Sequence, residues 1–439
     1  MAIATRSDYQ LLEAEPEDVG MSSARLGNLS RLVQRYIDER KLPGALSLVA
    51  RGGKIVHFQT YGRMDDERGK PVAADAIFRF YSMTKPIASV GLMTLYEEGL
   101  FQLDDPASKF IPELKDLKVF VSGTADSYET RAPAREMTVR DLLMHTSGLV
   151  ARDTPTPVGE LYRRAGFAGA DSPFTLADMI ARLGQIPLQV DPGSRWIYGI
   201  STDLVGYLCE VISGMPFDRF LDERILGPLG MVDTGFSVPA SSVDRFAANY
   251  APRTGSPRYE LVDDPQTSPY TRRRTYFSGA GGLVSTAADY LRFCRMLARG
   301  GELDGVRILG PRTLQLMTLN HLPGGKDLAT MAQSAAETQR EGQGFGLGFA
   351  VLLDPTVAQI IGTPGEFYWG RRSLDGVLRE PQRGPDHALF DPAQAVVNLP
   401  DPTRAAVHDL LRPRGVIRPG SPVLPSGTPP RCPRSAGAP

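Results

Sequence analysis

The sequence predicts an α+β fold: an antiparallel sheet with flanking helices, drawn from both ends of the chain around a mostly helical insert. Three observations carry this expectation. The run GALSLVARGGKIVHFQTYG (44–62) reads as two strands joined at Arg51-Gly52-Gly53-Lys54, a hairpin signal. Apolar residues then recur at helical spacing over 86–100, 138–145, 175–185 and 201–213, with Gly- and Pro-rich loops between them. Short β-like runs return late, at GGLVS (281–285) and FGLGFAVLL (345–353).

Ahead of the hairpin, residues 24–40 place Leu26, Leu29, Leu32, Val33 and Ile37 on one helical face. The chain of 439 residues is long enough to bury a large core. A net charge of −1 argues against a nucleic-acid binder, which carries a basic excess. No stretch approaches the roughly 20 apolar residues of a membrane span. The opening MAIATRSDYQLLEAEPEDVG lacks a basic-then-apolar leader, so a cytoplasmic protein is expected. Cys209, Cys294 and Cys432 are too few and too scattered for a disulfide framework or a zinc cluster. The five histidines show no metal-ligand spacing. No cofactor is expected.

The last 69 residues differ in kind. Residues 371–439 hold 13 of the 36 prolines and ten arginines but no lysine, while all eight lysines fall in 1–370. Prolines at that density interrupt helices and central strands alike. One short helical candidate, 403–411, precedes a tail expected to be poorly ordered.

The chemistry concentrates at Ser82-Met83-Thr84-Lys85, an SxxK motif opening an apolar helical run. A serine hydroxyl is a poor nucleophile until a base removes its proton. Residues i and i+3 share a helix face, so the lysine amine can sit beside the hydroxyl. A serine at a helix start also has backbone N–H groups nearby that can hold an oxyanion. The motif alone is weak, since a capping serine followed by a solvated lysine reads the same way. No GxSxG nucleophile elbow offers a competing site.

The surroundings add specificity. FRFYSMTKPIASVGLMTLYEEGLFQLDDPASKFIPEL (78–114) resembles the nucleophile segment of the serine β-lactamase and penicillin-recognising superfamily, most nearly the class C β-lactamases and family VIII carboxylesterases. VRDLLMHTSGL (139–149), DPGSRWIYGISTDLVGYLCEVISGMPF (191–217), GAGGLVSTAADYLRFCRML (279–297), GFGLGFAV (344–351) and GTPGEFYWG (362–370) resemble further family segments in the family's order. The resemblance implies the serine β-lactamase-like fold over 15–370. Its sheet region would comprise 15–85 and 276–370, its helical insert 86–275, and 371–439 would be an atypical appendage.

It also implies roles. Ser82 would be acylated, Lys85 would take its proton, and Tyr198 would share the base function. Trp369, Gly370 and Arg372 would border the pocket and, with Ser82, the oxyanion hole. His145 in MHTSGL reads as a structural core residue, and Trp196 as packing. Two departures bear on substrate. Ile200 stands where class C enzymes carry the Asn of Tyr-x-Asn, and Tyr368-Trp369-Gly370 stands for their Lys-Thr-Gly. Both losses favour a small-molecule ester over a β-lactam. The other readings are a β-lactamase or D-peptidase, an acyltransferase, and a catalytically impaired homologue that binds. A further departure is Arg371-Arg372-Ser373, after which the family's expected strands do not appear in the sequence. The sequence leaves the oligomeric state open.

Overall fold

The computed structural model describes residues 12–167, 172–252, 259–332, 341–359 and 362–369. The stretch 371–439 and the candidate residues Gly370 and Arg372 lie outside them.

The chain enters through helix α1 (Ser23–Asp38), capped by the Ser22 hydroxyl, which accepts from the Arg25 N–H. Strands β1 (Gly44–Arg51) and β2 (Lys54–Asp65) form the expected hairpin, with Arg51 opposite Lys54. Gly52 and Gly53 have φ of 59° and 79°, the left-handed pair that a two-residue hairpin turn requires. Alternation along β1 sends Leu46, Leu48 and Ala50 into the main core, while Val49 packs with Leu26 and Leu29 of α1. Both faces of β1 are covered, which is why the run reads as almost wholly apolar. Strand β3 (Lys70–Pro71) completes this three-stranded antiparallel sheet.

Strand β4 (Phe78–Arg79) leads into α2 (Thr84–Glu97), in which every residue from Thr84 to Leu95 is buried. Such burial is worth roughly 1.5–3 kcal/mol for each large apolar side chain. The exposed hairpin of β5 (Val119–Gly123) and β6 (Tyr128–Arg131) follows. Next come α3 (Val139–Met144), α4 (Pro157–Arg164), α5 (Leu176–Leu183), α6 (Ser201–Ser213) and α7 (Phe217–Leu221). Thr138 with Asp141, and Thr175 with Asp178, form capping boxes that start α3 and α5. Helix α2 packs against α6 and α7. A Cβ on Gly91 would lie 3.1 Å from Phe220 and Leu221, so glycine permits the close approach to α7.

The insert is not wholly helical. Strands β7 (Asn249–Pro252) and β8 (Tyr259–Asp263) pair within it. Strand β9 (Val284–Ser285) pairs with β4 across roughly 200 residues of sequence, as the late β-like run at 281–285 anticipates. Helix α8 (Ala287–Ala298), started by Thr286, precedes the small ladder of β10 (Glu302–Leu303) and β11 (Val306–Arg307). The run 345–353 is not one strand but parts of β12 (Gln343–Phe345) and β13 (Ala350–Leu352). The chain turns between them because Gly348 is left-handed, at φ 91°, and a Cβ on Gly346 would lie 2.1 Å from the Met317 carbonyl oxygen. Strand β14 (Phe367–Tyr368) pairs with β13. Among the described residues, β1–β3 and β12–β14 therefore form two separate three-stranded antiparallel sheets rather than one.

A buried cation locks the insert to the strand that precedes the SxxK segment. The fully buried Arg79 side chain donates to Asp263 Oδ2 at 2.7 Å, to the Ala247 carbonyl at 2.6 Å and to Ser268 Oγ at 3.3 Å. Its guanidinium also lies 4.0 Å from the Phe246 ring centroid. Removing one partner of such a pair leaves a buried charge uncompensated. Asp263→Ala should therefore destabilise the fold by about 3 kcal/mol in a urea titration, and Asp263→Asn by less. A variant as stable as wild type would show that the clamp carries no net stability.

Candidate active site

Ser82 sits in a single turn, Tyr81–Met83, between β4 and α2. The turn is pinned from both sides. Phe80 N–H donates to the Leu283 carbonyl at 2.9 Å, and Leu283 N–H donates to Thr84 Oγ1 at 3.1 Å. Tyr81, just before the serine, is held at φ 41°, a left-handed conformation uncommon outside glycine. Its hydroxyl accepts from Asn249 Nδ2 at 2.7 Å.

Lys85, in the first turn of α2, is only 4% exposed. Its Nζ donates to the Ala280 carbonyl at 2.7 Å and lies 3.4 Å from Ser82 Oγ. Tyr198 precedes α6, and its hydroxyl is 2.6 Å from Ser82 Oγ. Lys85 Nζ is 4.5 Å from the Tyr198 ring centroid. The three residues named from sequence therefore meet, though Lys85 lies closer to a backbone carbonyl than to the serine. Sequence reasoning gave Ala280 no role. Its segment was conspicuous for glycines, but nothing in the pattern says which carbonyl faces the lysine.

The segment carrying Tyr198 is fixed by its backbone. Trp196 N–H donates to the Met331 carbonyl and Ile197 N–H to the His145 carbonyl, at 2.9 and 2.8 Å. A Cβ on Gly199 would lie 2.5 Å from the Val150 carbonyl carbon, so glycine is needed there for close approach. Ile200 is half-buried against the main core, a position that suits its apolar side chain.

An aromatic cluster backs Tyr198. Trp196 stacks on it at 6.0 Å and 10° between planes, and Trp369 lies 5.4 Å away. Phe345 lies 5.1 Å from Trp369, measured between ring centroids. Trp369 is thus placed beside Tyr198, whereas the Tyr368 hydroxyl is occupied by Gln343 Oε1 at 2.6 Å. His145, 2% exposed, packs 5.1 Å from the Tyr198 ring and caps α3 at φ 59°. Among the described residues, no group of three or more His, Cys, Asp or Glu side chains is placed to hold a metal ion. Nor is any helix among them long and apolar enough to cross a membrane.

A serine, lysine and tyrosine meeting at the start of a buried helix, within an α+β frame, define the class of serine β-lactamase-like proteins. The chain belongs to the Beta-lactamase family, whose model matches residues 29–374. Esterase EstB of Burkholderia gladioli is 32% identical over 380 residues, covering 81% of this chain and 88% of the relative. Protein Rv1367c of Mycobacterium tuberculosis is 32% identical over 335 residues, covering 76% of this chain and 80% of the relative. The solved structure of EstCE1, a hydrolase with promiscuous acyltransferase activity, superposes with a TM-score of 0.66 at 28% identity. That match covers 79% of this chain and 88% of the other. The chain is a β-lactamase-fold serine hydrolase close to the family VIII esterases.

Burial holds the His145 pKa well below the ordinary histidine value, and the charge of Lys85 lowers it further. Burial also lowers His57 and His321. The folded chain therefore resists protonating these imidazoles, while the unfolded chain protonates them below about pH 6.5. The unfolded state then binds more protons, so this contribution to stability is present above pH 6.5 and is lost as pH falls. For His145 the loss is about 1.4 kcal/mol per pH unit. In His145→Asn, which tolerates the left-handed backbone, Tm should fall less between pH 7.5 and 5.5 than in wild type. Parallel melting profiles would mean that His145 takes up its proton as readily in the folded chain as in the unfolded one.

Proposed function

We propose that this protein hydrolyses short-chain carboxylic esters through an acyl-enzyme on Ser82, with Lys85 and Tyr198 acting together as the base. The observation that carries the reading is the 2.6 Å contact between Ser82 Oγ and the Tyr198 hydroxyl, with Lys85 Nζ 3.4 Å from the same oxygen. As Ser82 Oγ attacks the ester carbonyl, the Lys85–Tyr198 pair takes the serine proton. The tetrahedral oxyanion forms near the Ser82 N–H at the start of α2, where the helix dipole favours negative charge. Collapse breaks the ester C–O bond, and the pair returns the proton to the departing alcohol. Water then attacks the acyl-enzyme by the same route in reverse, giving the carboxylic acid and free Ser82. Gly370 and Arg372 remain candidates for the second oxyanion donor.

Ester preference over β-lactam rests on Ile200 and Tyr368-Trp369. Neither position offers the amide or ammonium that would grip a β-lactam's amide and carboxylate. The relationship to Esterase EstB supports the same substrate class.

The purified protein should hydrolyse p-nitrophenyl butyrate, and Ser82→Ala should reduce turnover to the background rate. Tyr198→Phe should lower kcat by about 10²–10⁴-fold. Nitrocefin turnover above ester turnover would reverse the substrate assignment. A folded wild type that neither turns over esters nor labels at Ser82 with a fluorophosphonate would leave a binding protein as the reading.

A further inference from the structure

Asp203 is a buried acid that the proposed chemistry does not use. It lies in the first turn of α6 and is 2% exposed. A single oxygen, Oδ1, accepts from Ser278 Oγ at 2.6 Å and from the Ala280 N–H at 3.1 Å. The carbonyl of that same Ala280 receives Lys85 Nζ at 2.7 Å. One carboxylate oxygen therefore ties down both ends of the three-residue segment 278–280, and the far end holds the lysine.

The segment has little room to move. A Cβ on Gly279 would lie 2.4 Å from the Thr202 carbonyl oxygen, so the loop lies directly on the start of α6. Gly282 N–H donates back to the Ser278 carbonyl at 2.9 Å, closing a turn behind it. Burial raises the Asp203 pKa, while Ser278, the Ala280 N–H, the Lys85 charge and the Tyr276 side chain oppose that rise. A buried carboxylate with these partners is costly to keep unless its geometry serves a purpose. Tyr198 lies five residues before Asp203, so the start of α6 anchors the tyrosine and the lysine's carbonyl support together.

We propose that Asp203 is a positioning residue that, by clamping the 278–280 loop, fixes the Ala280 carbonyl holding Lys85 beside Ser82. This rests on the reading that Ser82 and Lys85 do the chemistry. A misplacement of about 1 Å at a reacting group can cost 10²-fold in rate. Asp203→Ala removes both hydrogen bonds to the loop, together with the interaction with Tyr276. Asp203→Asn keeps an oxygen able to accept both, and Ser278→Ala removes one.

The test joins p-nitrophenyl butyrate kinetics on all three full-length variants with their crystal structures. In Asp203→Ala, kcat should fall about 10–100-fold while KM stays within about twofold. Asp203→Asn should stay within about threefold of wild type, and Ser278→Ala should fall between. The Asp203→Ala crystals should show the Ala280 carbonyl displaced and Lys85 Nζ moved away from Ser82 Oγ. A folded Asp203→Ala with wild-type kcat, or an Asp203→Asn as slow as Asp203→Ala, overturns the proposal. So does an unmoved lysine in the Asp203→Ala crystals. If Asp203→Ala does not fold, Ser278→Ala decides: wild-type kcat with an unmoved lysine overturns the clamp. A displaced lysine in variants of an inactive wild type would uphold the clamp while sinking the esterase reading.

Discussion

The candidate site depends on how the Lys85 nitrogen is held. At 4% exposure it has little water to satisfy it, so the protein must supply its partners. It does so from three parts of the chain. The Ala280 carbonyl receives a hydrogen bond, Ser82 Oγ lies on the same helix face, and the Tyr198 ring presents its π-system. Each support belongs to a different segment. The helix burial, the β4–β9 ladder and the tight glycine contacts at 199 and 279 all act to keep those segments in register. A site assembled in this way needs a stiff scaffold more than a large one.

That stiffness comes from short tertiary links rather than a broad sheet. Strand β4 has two residues, yet it sits between the Arg79 clamp on one side and the Ser82 turn on the other. Arg79 reaches Asp263, Ala247 and Ser268, and through them holds the far end of the insert against the strand that delivers the serine. The left-handed Tyr81 is possible because its neighbours leave it no alternative. Phe80 is tied to Leu283, Thr84 receives the Leu283 N–H, and the Tyr81 ring is tethered by Asn249.

What was readable in the sequence divides along a physical line. The hairpin at 44–62 was legible because Gly52-Gly53 specifies its turn and alternation specifies its strands. Helices α2 and α6 were legible from apolar spacing, and the Ser82–Lys85 juxtaposition follows from helical geometry alone. Tyr198 lies 116 residues from Ser82, and no local pattern links the two; only resemblance to a family picked it out. Ala280 and Asp203 escaped for a further reason. Their part is played by a backbone carbonyl and by a carboxylate acting through a loop, and neither leaves a spacing to recognise. The hairpin β5–β6 was missed because, after the apolar start at Val119–Val121, its residues are polar and exposed, with no apolar alternation to mark two strands. The run at 345–353 misled because glycines that force a turn read, in a hydrophobic context, as tolerated strand residues.

The end of the described chain bears on substrate in the same physical terms. Trp369 is held by contact with Tyr198 and Phe345, so the margin of the site is aromatic where a related site would place a cation. The neighbouring Tyr368 hydroxyl is committed to Gln343. Among the described residues here, neither Tyr368 nor Trp369 offers an anionic group an ion pair in return for lost hydration. A neutral ester makes no such demand of these side chains. Under the proposed ester reading, an aromatic margin weighs against carboxylate-bearing substrates while leaving the serine, lysine and tyrosine geometry untouched, which is how one catalytic frame can serve different substrate classes.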